Sequence, residues 1–251
     1  MPSRSGNALT AANRALLAAG IAAAVAAAVV TLYVVYHPFI PQDASVERDV
    51  QATAWGPIAL TFPFFSWIGD AKGFVLEAAV FAAVLVFNRR AWLLAAGSAA
   101  SAAWYFLLSH FILRPRPTTA QVLQVTEHPG ASSFPSGHTI FICTIVTVVV
   151  LCLGYRFLRG WGRAAAWLVG AAVIAMNAIS RVYTGAHWPS DVLAAILIAA
   201  AWLCLWVSLP PVFAAVADTS PATPARARPA SSDRPQPSSR SGTRPVRRSR
   251  A

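Results

Sequence analysis

Residues 15–36 of this chain read ALLAAGIAAAVAAAVVTLYVVY, a stretch without a charged side chain. A helix needs roughly 20 apolar residues to cross the hydrocarbon core of a bilayer, and this stretch is long enough. The whole composition agrees, because 57% of the 251 residues are hydrophobic and only 12% are charged, whereas soluble domains carry roughly 25% charged residues. The sequence therefore predicts a membrane protein. Removal of the first stretch as a secretory signal is the alternative, although a signal core is shorter, at roughly 7–15 residues.

Five more apolar runs follow the first one. They cover about 73–87, 92–113, 138–158, 164–180 and 190–212. Together the runs predict an all-α, polytopic membrane helical bundle with six transmembrane helices. Residues 38–71 mix acids with aromatic side chains and are expected as an external loop or a helix at the headgroup level. Glu77 lies inside the second run, where an acid must face protein or water; a structural hydrogen bond is the favoured reason and a functional role the alternative.

The basic residues define the predicted domains and their orientation. Eight of the 19 arginines lie in residues 213–251, a Pro-, Ser- and Ala-rich segment that we call the tail and expect to be disordered. Residues 1–14 form the predicted N-terminal segment and residues 15–212 the membrane domain. The net charge of +11 is most simply explained by topology and lipid headgroups. RNA binding by the tail is a less favoured alternative, so no nucleic-acid partner is predicted.

Arginines outside the tail cluster at alternate ends of the predicted spans. They are Arg4 and Arg14, Arg89 and Arg90, and Arg156, Arg159 and Arg163. If six helices alternate in direction, these groups lie on one side, which the positive-inside rule identifies as the cytoplasm. Both termini are then cytoplasmic, and the loops 114–137 and 181–190 are external. The orientation thus brings the polar residues of two distant loops to one membrane surface.

The first polar motif, Pro135-Ser136-Gly137-His138, precedes the fourth predicted span. Ser136 is a candidate N-cap, and the free N–H groups of a helix start bind anions. Gly137 lets an oxyanion approach the backbone. His138 would stand beside a bound phosphate and donate a proton to the departing oxygen. A capped helix with an incidental interfacial histidine is the alternative.

The second motif consists of Ser180-Arg181, His187 and Asp191. Pro189 favours a helix start here, so Asp191 is expected about one turn beyond His187. An acid in that place can accept a proton from one imidazole nitrogen and leave the other nitrogen free as a nucleophile. A structural role for this His–Asp pair is the alternative.

Three arginines are expected at the same face. Arg181 ends the fifth span, and the string Arg114-Pro115-Arg116-Pro117 follows the third. Guanidinium groups suit phosphate oxygens, and external arginines run against the positive-inside bias, so a bound polyanion would explain them. For Arg114 and Arg116 a solvated Arg-Pro linker is the alternative.

These motifs resemble the type 2 phosphatidic acid phosphatase superfamily, membrane enzymes related to vanadium haloperoxidases. The family pattern is Lys-(six)-Arg-Pro, then Pro-Ser-Gly-His, then Ser-Arg-(five)-His-(three)-Asp. The second and third parts match without deviation, whereas Ser109 stands where the first part has lysine. The resemblance implies that His187 forms a phosphohistidine, oriented by Asp191, and that His138 protonates the leaving group. It also implies that phosphate oxygens are held by Arg116, Arg181, Ser136 and Gly137, with Arg114 as a candidate to replace the lysine.

The predicted function is hydrolysis of a lipid phosphate or pyrophosphate, such as a prenyl pyrophosphate, phosphatidic acid or phosphatidylglycerol phosphate. The expected location is a bacterial inner membrane, with the active site facing the periplasm or cell exterior. A lipid phosphotransferase and a catalytically weakened lipid-binding protein remain alternatives. No metal or other cofactor is expected, because the sequence lacks a carboxylate cluster for Mg²⁺. The three cysteines contain no CxxC pair, which disfavours a disulfide framework or zinc site.

Overall fold

The structure, a computed structural model, describes residues 4–69, 72–127 and 130–217, and the regular secondary structure in these ranges is entirely helical. In lipid every backbone polar group needs an internal partner, which a helix provides within one segment. The helices are α1 (Arg4–Tyr36), α2 (Pro41–Ala52), α3 (Phe62–Gly69), α4 (Gly73–Phe87), α5 (Trp92–Ala99), α6 (Ala102–Phe111), α7 (Gly137–Val148), α8 (Tyr155–Phe157), α9 (Trp161–Tyr183), α10 (Pro189–Ser208) and α11 (Pro210–Ala217). A π-helical turn, Val149–Gly154, joins α7 to α8.

Each predicted apolar run is helical, although the runs 92–113, 138–158 and 190–212 each contain more than one helical segment. In the described part of the chain, five helical segments are long and apolar enough to cross a membrane: Ala11–Tyr36, Arg89–Phe111, Gly137–Phe157, Trp161–Tyr183 and Pro189–Ser208. The other run forms α4, whose 15 residues extend about 22 Å, less than the roughly 30 Å hydrocarbon core. The prediction of an all-helical, multi-pass membrane protein is confirmed. The count of six spans and the cytoplasmic position of the termini stay predictions.

Helix α1 packs along α10 and presents its other face outward. A Cβ added to Gly20 would come within 2.8 Å of the Leu205 side chain, so the glycine lets the two helices approach. On the outer face Val25 and Val29 are 59% and 61% exposed. Large exposed apolar faces are unusual on soluble monomers, whereas lipid accommodates them. Helix α1 also begins at Arg4, within the predicted N-terminal segment.

Several helix ends meet at one end of the bundle. The Arg114 side chain, just after α6, donates to the carbonyl of Pro38, just after α1. Gly69 at the end of α3 lies against His138 in the first turn of α7. Arg114 also pairs with Asp191 in the first turn of α10. Loops that are distant in sequence therefore share one face of the bundle.

The opposite end is closed by an apolar cluster that includes Val84, Leu94, Cys152, Val212 and Val216. Helix α11 contributes the last two of these side chains. The predicted boundary of the tail at residue 213 therefore differs from the structure, in which α11 continues to Ala217. Burial of its valines explains why these residues are ordered. The tail beyond residue 217 and the first three residues lie outside the described residues.

Candidate active site

The loop between α6 and α7 is held by its own backbone. The Ser133 N–H donates to the Arg114 carbonyl over 2.9 Å, and the Ser132 hydroxyl donates to the Ile112 carbonyl over 2.6 Å. The Trp188 indole N–H donates to the Pro115 carbonyl over 2.9 Å and ties this loop to the one before α10. The Arg-Pro string thus lies beside both histidine motifs.

A cavity of about 400 Å³ opens among α4, α6 and α7. Its wall includes His138, His187, Arg116 and Gly137. Volumes of a few hundred Å³ are typical of ligand sites. The structure therefore brings both histidines of the two distant motifs to one cavity, while their chemical roles stay predictions.

The His187 imidazole is fixed by a backbone carbonyl. Its side chain is 4% exposed, and Nδ1 lies 2.6 Å from the Ser133 carbonyl oxygen. A carbonyl only accepts, so Nδ1 carries the proton and Nε2 keeps its lone pair. Burial, assisted by the charge of Arg116, lowers the pKa of His187 well below its usual value. The imidazole is therefore neutral at neutral pH, as a nucleophile requires.

Asp191 does not form the expected hydrogen bond with His187. Its Oδ2 lies 4.0 Å from His187 Nδ1, beyond hydrogen-bond distance. That oxygen instead accepts the Trp188 backbone N–H over 2.9 Å, while Oδ1 accepts Arg114 Nη1 over 2.5 Å. Asp191 thus occupies the N3 position of α10, where an acid commonly closes a capping box. Capping competes with the imidazole for the carboxylate.

Arg114 belongs to a buried array rather than to the cavity wall. Its Nη2 lies 2.7 Å from Asp43 Oδ2, and its Nη1 also donates to the Ser190 hydroxyl over 2.7 Å. Ser190 in turn donates from its backbone N–H and hydroxyl to Asp43, over 3.0 and 2.5 Å. The guanidinium of Arg114 therefore joins α2 to the start of α10. This placement disagrees with the predicted role of Arg114 in binding phosphate.

Glu47 adds a protonated acid to this array. The side chain is fully buried, and neither carboxyl oxygen has a hydrogen-bond partner among the described residues. Burial, followed by the negative charges of Asp43 and Asp191, raises the pKa of Glu47 to about 9. Glu47 is therefore neutral at pH 7, which leaves two carboxylates around the Arg114 charge.

Arg116 is held by carbonyl groups. Its Nε, Nη1 and Nη2 donate to the carbonyls of Gly130, Ala186 and Ser132 over 3.0, 2.5 and 2.5 Å. Burial lowers the pKa of Arg116, but a guanidinium stays charged at physiological pH. Two of its five N–H groups are not used by these contacts. Arg116 thus combines a fixed orientation with a charge on the cavity wall.

His138 lies against the end of α3. Its Nε2 is 3.3 Å from the Ser66 carbonyl oxygen. A Cβ on Gly69 would fall 1.9 Å from His138 Cδ2, so only glycine leaves room for the imidazole there. The backbone of α3 therefore fixes the position of this ring at the cavity.

Arg181 forms an ion pair next to the cavity. Its buried guanidinium lies 2.8 Å from Glu127 Oε2 and also donates to the hydroxyl groups of Ser66 and Ser180. Ser66 in turn donates to the other oxygen of Glu127. Arg181 is not part of the cavity wall, but its charge contributes to lowering the pKa of His187.

The remaining predicted residues lie at the start of α7 and the end of α6. Ser136 occupies the N-cap position, but its hydroxyl makes no capping bond and instead accepts the Thr139 hydroxyl over 3.0 Å. Gly137 lines the cavity and packs against the ring of Tyr105. Ser109 donates to the Phe106 carbonyl over 3.4 Å.

Sequence reasoning missed three polar residues of this region, Asp43, Ser66 and Glu127. Asp43 and Ser66 lie in the segment expected as an external loop or a headgroup-level helix, and Glu127 lies in the loop 114–137. Only Asp43 carried a usable signal, because its spacing to Glu47 places both acids on one helical face. No group of three or more His, Cys, Asp or Glu side chains that could hold a metal occurs among the described residues.

Comparison with known proteins adds independent information. Residues 90–213 match the family model described as the PAP2 superfamily. The chain is 30% identical over 154 residues to the decaprenylphosphoryl-5-phosphoribose phosphatase of Mycobacterium tuberculosis, covering 60% of this chain and 76% of that protein. It is 28% identical over 103 residues to the undecaprenyl-diphosphatase of Sulfolobus acidocaldarius, covering 41% and 37% of the two chains.

The fold is also similar to a solved structure. It matches the crystal structure of the first transmembrane PAP2 type phosphatidylglycerolphosphate phosphatase from Bacillus subtilis with a TM-score of 0.60. The match covers 76% of this chain and 94% of that one at 17% identity, so it supports the fold. With a matching family model, a similar fold and a relative matched over most of its length, the chain belongs to the PAP2 superfamily of membrane phosphatases.

Proposed function

We propose that this protein hydrolyses the terminal phosphate of a lipid phosphomonoester or diphosphate through a covalent phosphohistidine on His187. The observation that carries the proposal is the cavity shared by a neutral His187, His138 and the charged Arg116. Relatives named for decaprenylphosphoryl-5-phosphoribose and undecaprenyl diphosphate make prenyl lipids candidate substrates. Phosphatidic acid and phosphatidylglycerol phosphate are further candidates.

In the first step, Nε2 of His187 attacks phosphorus and the bond between phosphorus and the leaving oxygen breaks. His138 in its protonated form gives its proton to that oxygen, so that the lipid leaves as an alcohol or a phosphate. The Ser133 carbonyl stabilises the positive charge that develops on the His187 ring. Arg116, with the more distant Arg181, compensates the negative charge on the phosphoryl oxygens.

In the second step, water attacks the phosphohistidine and the bond between phosphorus and Nε2 breaks. The neutral His138 accepts a proton from the water, and inorganic phosphate leaves. Both histidines then have the protonation states in which they began. No metal takes part in this scheme, since the arginines provide the positive charge.

We place the reaction at the external face of the membrane. The arginine-rich turns after α4 and α8 lie at the other ends of the helices that carry the site, and the positive-inside rule assigns those turns to the cytoplasm. A membrane-impermeant cysteine reagent should therefore label a Leu123→Cys variant in intact cells and a Phe157→Cys variant only after lysis. Labelling with the reverse pattern would contradict this orientation.

The activity is tested with purified protein in detergent. Wild-type protein should release phosphate from at least one lipid of a panel containing prenyl diphosphates, phosphatidic acid and phosphatidylglycerol phosphate, with and without EDTA. His187→Ala should abolish release, and the exposed Asp49→Asn serves as the matched control. Full activity of His187→Ala would exclude the mechanism, whereas inhibition by EDTA would exclude only its metal independence.

A further inference from the structure

The active-site cavity is bordered on one side by the apolar helices α4 and α7. A second cavity of about 450 Å³ lies among α4, α5 and α7 and shares Phe74, Glu77, Ala99 and Thr144 with the first. Most of its wall is apolar, as a lipid chain requires. The shared residues mark the junction between the phosphate end of the cavity and its deeper part.

The junction contains an acid, Glu77, for which the described residues supply no hydrogen-bond or ion-pair partner. Glu77 lies one turn beyond Gly73, about 6 Å along α4, and it lines both cavities. No hydrogen bond or ion pair involving Glu77 occurs among the described residues, so the structural hydrogen bond favoured from the sequence is not found there. A carboxyl group at membrane depth is costly without a partner.

The wall carries further polar groups at this depth. Ser101 and Thr144 line the active-site cavity, and their hydroxyl groups lie 2.8 Å apart in a hydrogen bond. A purely apolar chain attached directly to the phosphate would cover these groups and Glu77 without offering them a hydrogen bond. A hydroxyl-bearing group would satisfy them.

We propose that Glu77, together with Ser101 and Thr144, forms a subsite for the hydroxyl groups of a glycerol or sugar unit between the terminal phosphate and the lipid. One helical turn, the separation of Glu77 from Gly73 along α4, is about the length of such a unit, and both residues line the cavity that contains the histidines. The inference rests on the proposed function and narrows it. The preferred substrates are lipids whose terminal phosphate sits on a polyol, rather than prenyl diphosphates.

The test compares two substrates that differ in one hydroxyl group. They are phosphatidylglycerol phosphate and its deoxy analogue, in which propane-1,3-diol replaces the headgroup glycerol. Wild-type protein should prefer the hydroxylated lipid by about 10- to 100-fold in kcat/KM, the range of one hydrogen bond to a charged group. Glu77→Leu should reduce this preference to about 3-fold or less, and Glu77→Gln should keep an intermediate preference. Asp49→Asn, which removes an exposed acid on α2, should retain the wild-type ratio.

The outcomes separate this inference from the proposed function. If wild-type protein hydrolyses both lipids equally, or if Glu77→Leu keeps the preference for the hydroxylated lipid, the subsite is refuted. The proposed phosphatase function is not affected by either result. If wild-type protein releases phosphate from no lipid, the proposed function itself fails. Binding of inorganic vanadate, a phosphate analogue, checks that the variants are folded. Glu77→Leu should bind vanadate as the wild type does. If it loses both vanadate binding and the preference for the hydroxylated lipid, Glu77 contributes to general stability and the subsite is refuted.

Discussion

Replacement of Arg114 by methionine removes the guanidinium that lies between Asp43 and Asp191. Both carboxylates are almost fully buried and would lose their cationic partner. Breaking a buried ion pair by removing one member costs about 3–5 kcal/mol of unfolding free energy. For a membrane domain of about 200 residues this corresponds to a decrease of about 6–20 °C in the unfolding temperature. Tryptophan fluorescence of the purified protein, which has nine tryptophans, would follow the transition.

A matched control is available on the same helix as Asp43. Arg48 is exposed and makes one hydrogen bond of 3.1 Å to the Gln121 carbonyl, so Arg48→Met should change the unfolding free energy by less than about 0.5 kcal/mol. Below its unfolding temperature, Arg114→Met should bind inorganic vanadate within about 3-fold of wild type, because Arg114 lies outside the cavity wall. A variant with wild-type stability but weakened vanadate binding would refute this reasoning and restore Arg114 as a phosphate ligand.

Three further predictions concern the same region. The pKa of Glu47 is raised from 4.5 to about 9 in the folded protein, so the unfolded state loses this proton at lower pH. Between those two pH values, the free energy of unfolding of the wild type relative to Glu47→Gln should therefore fall by about 1.4 kcal/mol per pH unit. Parallel pH profiles of the two proteins in urea unfolding would contradict this prediction. Gly69→Ala should displace His138 and lower kcat by about 100-fold, whereas Gly154→Ala, whose Cβ meets nothing closer than 3.6 Å, should not. Ser109→Lys adds a cation and should lower KM by up to about 5-fold, whereas the uncharged control Ser109→Gln should not. If the natural protein shows no turnover and Ser109→Lys creates it, the alternative of a catalytically weakened protein is correct.

The helical membrane fold and the meeting of the two histidine motifs could be predicted from sequence because both depend on local signals. Apolar length identifies the helices, and alternation of their direction assigns the loops to faces. The sequence could not show which of Arg114 and Arg116 lines the cavity, because the two arginines are two residues apart and each precedes proline. Asp43 distinguishes them, yet it lies far away in the chain, in a segment expected only as a loop or a surface helix.

The relation of Asp191 to His187 shows the same limit. A spacing of four residues predicts a contact only if one regular helix carries both residues, but α10 begins at Pro189, after His187. Asp191 therefore caps the helix and pairs with Arg114, and the imidazole takes the Ser133 carbonyl as its partner. The Asp191 carboxylate still acts on His187 indirectly, because it holds the first turn of α10 and the backbone of Trp188, which follows His187.

Charge pairing decides which arginine can hold a phosphate. Arg114 is compensated by two carboxylates and Arg181 by Glu127. Arg116, by contrast, forms no ion pair with any residue in the described ranges and is oriented by carbonyl oxygens, which compensate no full charge. Its positive charge therefore acts on the cavity, where it contributes to keeping His187 neutral. A bound phosphate would satisfy that same charge. Under the proposed mechanism, Arg116 would both keep His187 neutral for attack and attract the phosphate, which gives a physical reason to expect activity from a chain with serine at the usual lysine position.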